Sequence, residues 1–274
     1  MAYGIAMSRR GHVRPHNEDA CCFLEATSPV GKLAMAIVCD GVGGLARGEL
    51  ASSTVVRRFV RWFEGDLDRL QRTCDKNSLL KAVQAEWLDM LRRVNADLLE
   101  YGRAIGAPLA TTFTGLMLHE GAYCALHVGD CRLYLLSGDV ACALTHDQTL
   151  VARGLELGYL TAEEAREHPQ ANIIYQAVGA SERICPEVLC GRCEPDDLLL
   201  LLSDGAYRRA SETLLSELFC KGVRRADERL FQACTRLLDQ GLERGETDNL
   251  SLVAVRPQEQ QGLGTITYGW RRSA

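Results

Sequence analysis

The stretch LAMAIVCDGVGG, residues 33–44, contains a short apolar run that ends at Asp40 and Gly41. A run of this length predicts a buried strand, and the Asp-Gly pair predicts the turn that ends it. An apolar run next to an acidic turn recurs in CALHVGDCR (residues 124–132), DLLLLLSDGAY (residues 197–207) and TDNLSLVAV (residues 247–255). One local pattern, a strand with a carboxylate at its end, is therefore used several times.

Six carboxylates lie at the ends of predicted strands or directly before one. They are Asp40, Asp130, Asp204 and Asp248 at the strand ends, and Glu18 and Asp19 in HNEDACC (residues 16–22). A single aspartate of this kind is most often a turn residue, and an isolated Glu-Asp pair is most often exposed. If the strands are neighbours, however, their ends converge, and the anions repel unless protons or cations neutralise them. Carboxylate, carbonyl and water oxygens suit Mg²⁺ or Mn²⁺, so the pattern predicts a metal site with several carboxylates.

The order of strand-like and helix-like segments indicates the fold class. Strands are predicted at residues 3–7, 21–25, 33–39, 187–190, 197–203 and 250–255, with four more between 112 and 144. Apolar steps of three and four residues predict a long helix from Leu80 to Leu98, and further helices are expected at 47–63, 211–219 and 225–240. Short turns predict antiparallel neighbours within 112–144. The result is an α+β layered fold.

An insertion interrupts this order at residues 148–179. Thr161 followed by Glu164 matches a capping box, which predicts the start of a short helix within the insertion. Pro169 follows the expected end of that helix. The segment therefore predicts a small helical unit between strands.

The composition narrows the class of protein. The 274 residues carry a formal net charge of −5, which argues against a general nucleic-acid-binding protein. No apolar run reaches the roughly 18 residues of a membrane-spanning helix, and the N-terminus lacks the layout of a signal peptide. The 12 cysteines are therefore expected to be free thiols. We expect a cytoplasmic protein that does not insert into a membrane.

Several motifs follow one another in a characteristic order. They include SRRGHVRPHNEDA (residues 8–20), DGVGGLARGELAS (residues 40–52), ATTFTGL (residues 110–116), HVGDCRLYLL (residues 127–136), LLLLSDGAY (residues 199–207) and TDNLSLVAV (residues 247–255). In residues and order they resemble the metal-dependent serine/threonine protein phosphatases, the type 2C family, in its compact bacterial form. The resemblance implies a four-layer α-β-β-α sandwich, with two antiparallel β-sheets flanked by helices and a small helical flap beside the active site.

The resemblance also implies a domain organisation and a set of metal ligands. The catalytic domain would cover residues 1–256, with the flap at about 148–179 and a tail at 257–274. Asp40 would bridge two Mn²⁺ or Mg²⁺ ions. Glu18 and the carbonyl of Gly41 would complete the binding of one ion, and Asp204 and Asp248 that of the other.

Further roles follow from the same resemblance. Asp130, with Asp204, would mark a possible third metal site. Asp19 and Asn249 would lie just behind the ligands, where Asp19 would orient metal-bound water, and Arg14 would clamp the phosphate. The implied reaction is direct attack of a metal-activated water on phosphoserine or phosphothreonine of a phosphorylated protein, in opposition to a cognate serine/threonine kinase. A monomer is expected.

The chain departs from the family pattern at several positions. Val42 replaces a histidine often assigned as general acid, so protonation of the leaving group would come from a metal-bound water. Gln148 replaces a histidine, which leaves the role of that position open. After the SDG motif the chain reads Ala206, Tyr207, Arg208 and Arg209, where many relatives have an acid. We expect this segment to change the local surface rather than metal binding.

Two other classes of function remain possible from the sequence. One is a catalytically silent phosphoprotein-binding module of the same fold, although such a module would not need every predicted metal ligand together with Arg14. The other is a different two-metal phosphohydrolase, such as a phosphodiesterase, that shares only the carboxylate chemistry.

Overall fold

The computed structural model describes residues 3–28, 31–42, 47–166 and 168–257. Its strands are β1 (Tyr3–Arg9), β2 (Ala20–Ser28), β3 (Gly31–Cys39), β4 (Phe113–His119), β5 (Ala122–Val128), β6 (Arg132–Ser137), β7 (Val140–Ala143), β8 (Glu187–Arg192), β9 (Leu198–Leu202) and β10 (Leu250–Arg256). Its helices are α1 (Gly48–Gly65), α2 (Leu67–Thr73), α3 (Leu79–Ile105), α4 (Leu150–Glu156), α5 (Ala162–Arg166), α6 (Asp204–Tyr207), α7 (Glu212–Leu218), α8 (Lys221–Arg224) and α9 (Asp227–Glu243). Residues 43–46 of the second motif, and the predicted tail from 258 onward, lie outside the described residues.

The strands form two sheets in which all pairings are antiparallel. The first sheet has the order β1-β10-β9-β6-β7, and the second has the order β2-β3-β4-β5-β8. In such pairs the start of one strand lies beside the end of its neighbour. Ala20 is opposite Cys39 in the second sheet, and Arg132 is opposite Leu202 in the first. The segments that flank these strand ends are therefore brought together.

The apolar runs are continuous because both faces of each sheet are covered. In β9, Leu198, Leu200 and Leu202 pack in the core formed with α7 and α9. The alternate residues Leu199 and Leu201 face the second sheet. The opposite face of the second sheet packs against α1 and α3. Successive strand side chains point to opposite faces, so the layers are helix, sheet, sheet and helix. The predicted four-layer α+β sandwich is confirmed.

One predicted connection is wrong. Short turns predicted antiparallel neighbours throughout residues 112–144, but β5 and β6 belong to different sheets. The length of a loop does not distinguish a hairpin within one sheet from a connection that crosses to the other sheet. Here Gly129 has φ 108°, which glycine adopts freely, and Cys131 is buried between the sheets. The crossing places Asp130 where the two sheets meet.

The insertion between β7 and β8 is helical, as predicted. Glu164 N–H donates to Thr161 Oγ1 at 3.2 Å, and the Glu164 carboxylate accepts a hydrogen bond from Thr161 N at 2.8 Å. The predicted capping box is therefore confirmed. The sequence did not predict the short helices α2, α6 and α8. Within the described part of the chain, no helix is both long enough and apolar enough to cross a membrane.

Candidate active site

The predicted acidic residues meet at one end of the sandwich. In the second sheet Asp19 directly precedes β2, and Asp40 directly follows β3. In the first sheet Asp204 lies just after β9, and Asp248 lies just before β10. Asp130 lies in the crossing from β5 to β6. We call the set Glu18, Asp19, Asp40, Asp130, Asp204 and Asp248 the carboxylate cluster.

Two close backbone contacts explain the glycines of the Asp-Gly pairs. A Cβ atom on Gly41 would lie 2.5 Å from the carbonyl carbon of Gly48. A Cβ atom on Gly205 would lie 2.2 Å from the carbonyl oxygen of Asn249. Any other residue would push these segments apart, so both glycines allow the acidic turns to approach their neighbours.

Burial and mutual repulsion dominate the electrostatics of the carboxylate cluster. Burial first, and then the charges of Asp19, Asp204 and other aspartates, raise the pKa of Asp40 well above its ordinary value. Burial likewise raises the pKa of Asp130 to about 8 and that of Asp19 to about 7. The pKa of Asp204 is also raised, and burial is again the main cause. The folded cluster therefore requires protons or cations as counter-charges near neutral pH.

Two oxygens of the carboxylate cluster fit a cation site. Asp19 Oδ2 accepts a hydrogen bond from Ser203 Oγ at 2.9 Å, whereas Asp19 Oδ1 is buried and has no hydrogen-bond partner among the described residues. Asp204 Oδ1 is also buried and lacks a partner in that part of the chain. A buried anionic oxygen is costly unless another group compensates it. Hard oxygen donors of this kind suit Mg²⁺ or Mn²⁺.

Arg14 faces the carboxylate cluster with its guanidinium group. Its Nε and Nη2 atoms donate to the two carboxylate oxygens of Asp248, each at 2.9 Å. Its Nη1 atom lies 3.6 Å from Glu18 Oε2. The side chain is 32% exposed, so solvent reaches this planar fork. The predicted phosphate-binding arginine thus lies beside the predicted metal ligands.

Arg208 also contacts the carboxylate cluster, which corrects the expectation that it changes only the local surface. Its Nη2 atom donates to Asp204 Oδ2, and its Nη1 atom donates to Glu246 Oε1 at 2.9 Å. The reason is helical spacing, because side chains four residues apart lie on the same face. In the described ranges, no three His, Cys, Asp or Glu side chains have metal-binding geometry as they stand. The guanidinium of Arg208 is instead paired with Asp204, and that of Arg14 with Asp248.

The backbone around Glu18 is fixed by residues from three other segments. Asn249 Oδ1 accepts a hydrogen bond from Glu18 N at 2.8 Å. The carbonyl oxygen of Glu18 accepts hydrogen bonds from Gly41 N at 3.1 Å and from Ser52 Oγ at 2.6 Å. Asn249 and Gly41 therefore hold the main chain of Glu18 in place. Ser52 was not identified from the sequence.

The residues that support Asp130 were also not identified from the sequence. Tyr207 donates its hydroxyl to the carbonyl oxygen of Asp130 at 3.0 Å. The guanidinium of Arg132 lies 3.8 Å from the centre of the Tyr207 ring and makes two hydrogen bonds with Asp147, at 2.8 and 2.6 Å. The departure from the family pattern after SDG was the available signal, because Tyr207 belongs to that segment.

Gln148 holds the turn that carries Asp130. Its side-chain Oε1 accepts a hydrogen bond from Gly129 N at 2.9 Å, and its backbone N–H donates to Gly129 O at 2.7 Å. Gln148 is 6% exposed, so water cannot easily replace these bonds. The position left open by the sequence is therefore a positioning residue for the turn at Asp130.

Replacing Gln148 by alanine is expected to lower the free energy of unfolding by about 1–3 kcal/mol, because the buried N–H of Gly129 loses its acceptor. Urea denaturation measures this change. Gln176→Ala is the matched control, because it removes solvent-accessible hydrogen bonds to Cys185. We expect the control to lose less than about 0.5 kcal/mol. Equal losses in the two variants would contradict the role given to Gln148.

Comparison with known proteins identifies the family of the chain. The family model described as "Protein phosphatase 2C" matches residues 9–243. The chain is similar to the serine/threonine phosphatase stp of Listeria innocua, with 30% identity over 90% of this chain and 92% of the relative. It shares its fold with serine/threonine phosphatase Stp1 from Staphylococcus aureus, with 24% identity, a TM-score of 0.80, and coverage of 94% of this chain and 96% of that one.

A further structure is the catalytic domain of serine threonine protein phosphatase PstP in complex with two manganese ions. It is 25% identical with a TM-score of 0.72 and covers 94% of this chain and 99% of that one. The family model and the Listeria relative both extend over most of the chain, and the acidic motifs occupy one end of the matching fold. The chain belongs to the protein phosphatase 2C family of serine/threonine phosphatases.

Proposed function

We infer that this chain is a metal-dependent phosphatase that hydrolyses phosphoserine and phosphothreonine in proteins. The observation that carries the proposal is the carboxylate cluster, which contains two buried oxygens without a hydrogen-bond partner among the described residues and which the guanidinium fork of Arg14 contacts at Asp248. Hard carboxylate oxygens bind Mg²⁺ or Mn²⁺, and a planar guanidinium fork binds phosphate. The names of the family and of the Listeria relative support the same activity.

The proposed metal ligands are carboxylates of the cluster and one neighbouring backbone carbonyl. They are Glu18, Asp40, the carbonyl of Gly41, Asp204 and Asp248, with Asp130 beside Asp204 for a possible third ion. Bound divalent ions would supply positive charge to the phosphoryl group and lower the pKa of the attacking water. The two manganese ions in the PstP complex support a count of two ions and the use of Mn²⁺.

Residues of the chain itself would bind and orient the reactants. Arg14 would release Asp248 and hold two phosphoryl oxygens with the same pair of donors. Asp19, fixed at Oδ2 by Ser203, would accept a hydrogen bond from the attacking water at Oδ1. Val42 cannot donate a proton, so water would supply the proton for the leaving oxygen.

We also propose a domain organisation, a location and a kinase partner for this chain. The catalytic domain would cover residues 1–256, with a substrate-selecting flap at about 148–179 and a tail from 257 onward. The protein would act as a cytoplasmic monomer on proteins phosphorylated by a cognate serine/threonine kinase. Absence of a long apolar helix in the described residues is compatible with this assignment.

Hydrolysis of a phosphothreonine peptide with and without Mn²⁺ tests the proposal. We expect activity with Mn²⁺, and at least a hundredfold lower activity after chelation, because metal ions contribute several kcal/mol to stabilising the charge of the transition state. Released inorganic phosphate is the measured product, and circular dichroism checks that the chelated protein remains folded.

Two outcomes would contradict the proposal. A folded, Mn²⁺-loaded protein that binds the phosphopeptide without hydrolysing it would be a silent binding module. Faster hydrolysis of bis(p-nitrophenyl) phosphate than of the phosphopeptide would indicate a phosphodiesterase. Repeating both assays with Mg²⁺ decides whether the result depends on the choice of ion.

A further inference from the structure

Arg208 joins a proposed metal ligand to a buried anion. It follows α6 directly, and its guanidinium donates through Nη2 to Asp204 Oδ2 and through Nη1 to Glu246 Oε1. The side chain of Arg208 is 29% exposed, and those of Asp204 and Glu246 are 13% and 2% exposed. The positive charge is therefore placed between two carboxylates that have little access to water.

Glu246 fixes the far side of this guanidinium. Its Oε1 atom also accepts hydrogen bonds from the backbone N–H groups of Thr247, at 2.9 Å, and Asp248, at 3.1 Å. Glu246 cannot turn away without breaking these bonds and exposing an unpaired buried charge. Arg208 is thus anchored at Glu246 while its other end contacts Asp204.

The guanidinium of Arg208 and a metal ion would compete for the carboxylate of Asp204. Its Oδ1 atom has no hydrogen-bond partner among the described residues, and its Oδ2 atom is taken by Arg208. Asp130 lies on the same side of the carboxylate cluster, and the positive charge of Arg208 partly opposes the rise in its pKa. A guanidinium at this place supplies positive charge that a divalent ion would otherwise bring.

We propose that Arg208 is a built-in counter-cation of Asp204 that neutralises the metal-free site and weakens binding of divalent ions at the Asp130–Asp204 side of the carboxylate cluster. This inference rests on the metal site of the proposed function and not on its substrate. For Asp204 to use both oxygens as ligands, Arg208 must give up Oδ2 while it keeps Glu246. Arg208 is therefore a positioning residue that sets metal affinity without contacting the substrate.

Arg14 does not duplicate this arrangement. It makes both of its short hydrogen bonds to the same carboxylate, Asp248, and its third nitrogen is 3.6 Å from Glu18. No buried anion outside the carboxylate cluster anchors it in the described part of the chain. Arg14 can therefore leave the cluster for a phosphate, whereas Arg208 is fixed by Glu246.

Calorimetric titration of metal-free protein with Mn²⁺ tests the proposal. For Arg208→Gln, which retains a donor for Glu246 but loses the charge, we expect the dissociation constant of the weakest Mn²⁺ site to fall about tenfold. That factor corresponds to the loss of one charge-assisted hydrogen bond from Asp204. Manganese bound per chain is counted independently by atomic emission after gel filtration.

Arg209→Gln is the matched control. It changes the net charge by the same amount in the same segment, but the side chain of Arg209 approaches a single acidic residue in the described ranges, Glu246, at 3.5 Å. We expect its Mn²⁺ affinity to stay within about twofold of the wild type, because the half-exposed Arg209 makes no ion pair with the carboxylate cluster in the part of the chain that the structure describes. A tenfold gain in both variants would assign the effect to net charge and would overturn the role of Arg208.

The metal-free proteins provide the second measurement. Metal-free Arg208→Gln should unfold at a lower temperature than the wild type, because Asp204 and Glu246 lose their shared counter-charge. Saturating Mn²⁺ should raise its unfolding temperature more than it raises that of the wild type. If Arg208→Gln does not fold, Arg208→Met replaces it, since methionine also removes the charge while its unbranched side chain keeps part of the packing of the arginine stem.

Unchanged or weaker Mn²⁺ binding by the folded Arg208 variants overturns the proposal, whatever their activity. If the wild type hydrolyses the phosphopeptide but the Arg208 variants bind Mn²⁺ with unchanged affinity, only this inference fails. If the variants bind Mn²⁺ more tightly but no form hydrolyses the peptide, the proposed function fails and the inference remains.

Discussion

Replacing Asp40 by asparagine is expected to lower the Mn²⁺-dependent turnover of a phosphothreonine peptide on the order of a thousandfold. Asp40 is a proposed ligand of the metal ions, and several kcal/mol of the stabilisation that those ions would supply depends on its charge. A loss of about 4 kcal/mol corresponds to this factor. Steady-state release of phosphate at saturating Mn²⁺ measures the loss. Calorimetric titration with Mn²⁺ should reveal at least one fewer bound ion per chain than in the wild type.

The asparagine variant should fold as well as the wild type. The backbone of Asp40 is held independently of its carboxylate: its N–H donates to Thr112 Oγ1 at 2.8 Å, and its carbonyl accepts from Thr112 N at 2.8 Å. Removing one of several buried negative charges relieves repulsion, so the metal-free variant should unfold at the same or a higher temperature. Turnover near the wild-type value would show that Asp40 does not hold the catalytic ions.

The α+β layered class could be predicted from the sequence, because the central β-strands are apolar runs covered on both faces. The alternation within β9 illustrates this, since Leu200 packs against the helices and Leu201 packs against the other sheet. The four-layer arrangement was implied by the family resemblance. The step from β5 to β6 could not be predicted. A three-residue turn has the same length in a hairpin and in a crossing, and only the burial of Cys131 between the sheets distinguishes them.

The acidic part of the site could also be predicted, because strand ends in antiparallel neighbours meet. What the sequence could not reveal was the partner of each charge. Arg208 looked like a surface residue because nothing local shows that Glu246, 38 positions later, lies beside it. Gln148 and Tyr207 support Asp130 through contacts with its backbone and that of Gly129. A side chain that binds main-chain atoms needs no partner of a particular residue type. The sequence therefore contains no second residue that would indicate the contact.

Replacing Arg14 by alanine is expected to lower kcat/KM for a phosphothreonine peptide about a hundredfold. The fork that now makes two hydrogen bonds of 2.9 Å to Asp248 would make two to the phosphoryl group, and two charge-assisted bonds of about 1.5 kcal/mol account for this factor. Lysine at this position keeps the charge but not the fork, so Arg14→Lys should lose about tenfold. Initial rates at several peptide concentrations measure both variants.

The loss must lie in phosphate binding rather than in metal binding. Arg14→Ala frees the carboxylate of Asp248, so its Mn²⁺ affinity should equal or exceed that of the wild type, while the inhibition constant for inorganic phosphate rises. Arg9→Ala, an exposed arginine at the end of β1, is the matched control and should leave both constants unchanged. If Arg14→Ala keeps kcat/KM within about threefold of the wild type, Arg14 is only an ion-pair partner of Asp248. A parallel loss of Mn²⁺ binding and activity would instead make Arg14 a support for the metal ligands, because the guanidinium would then be needed to hold Asp248 in place.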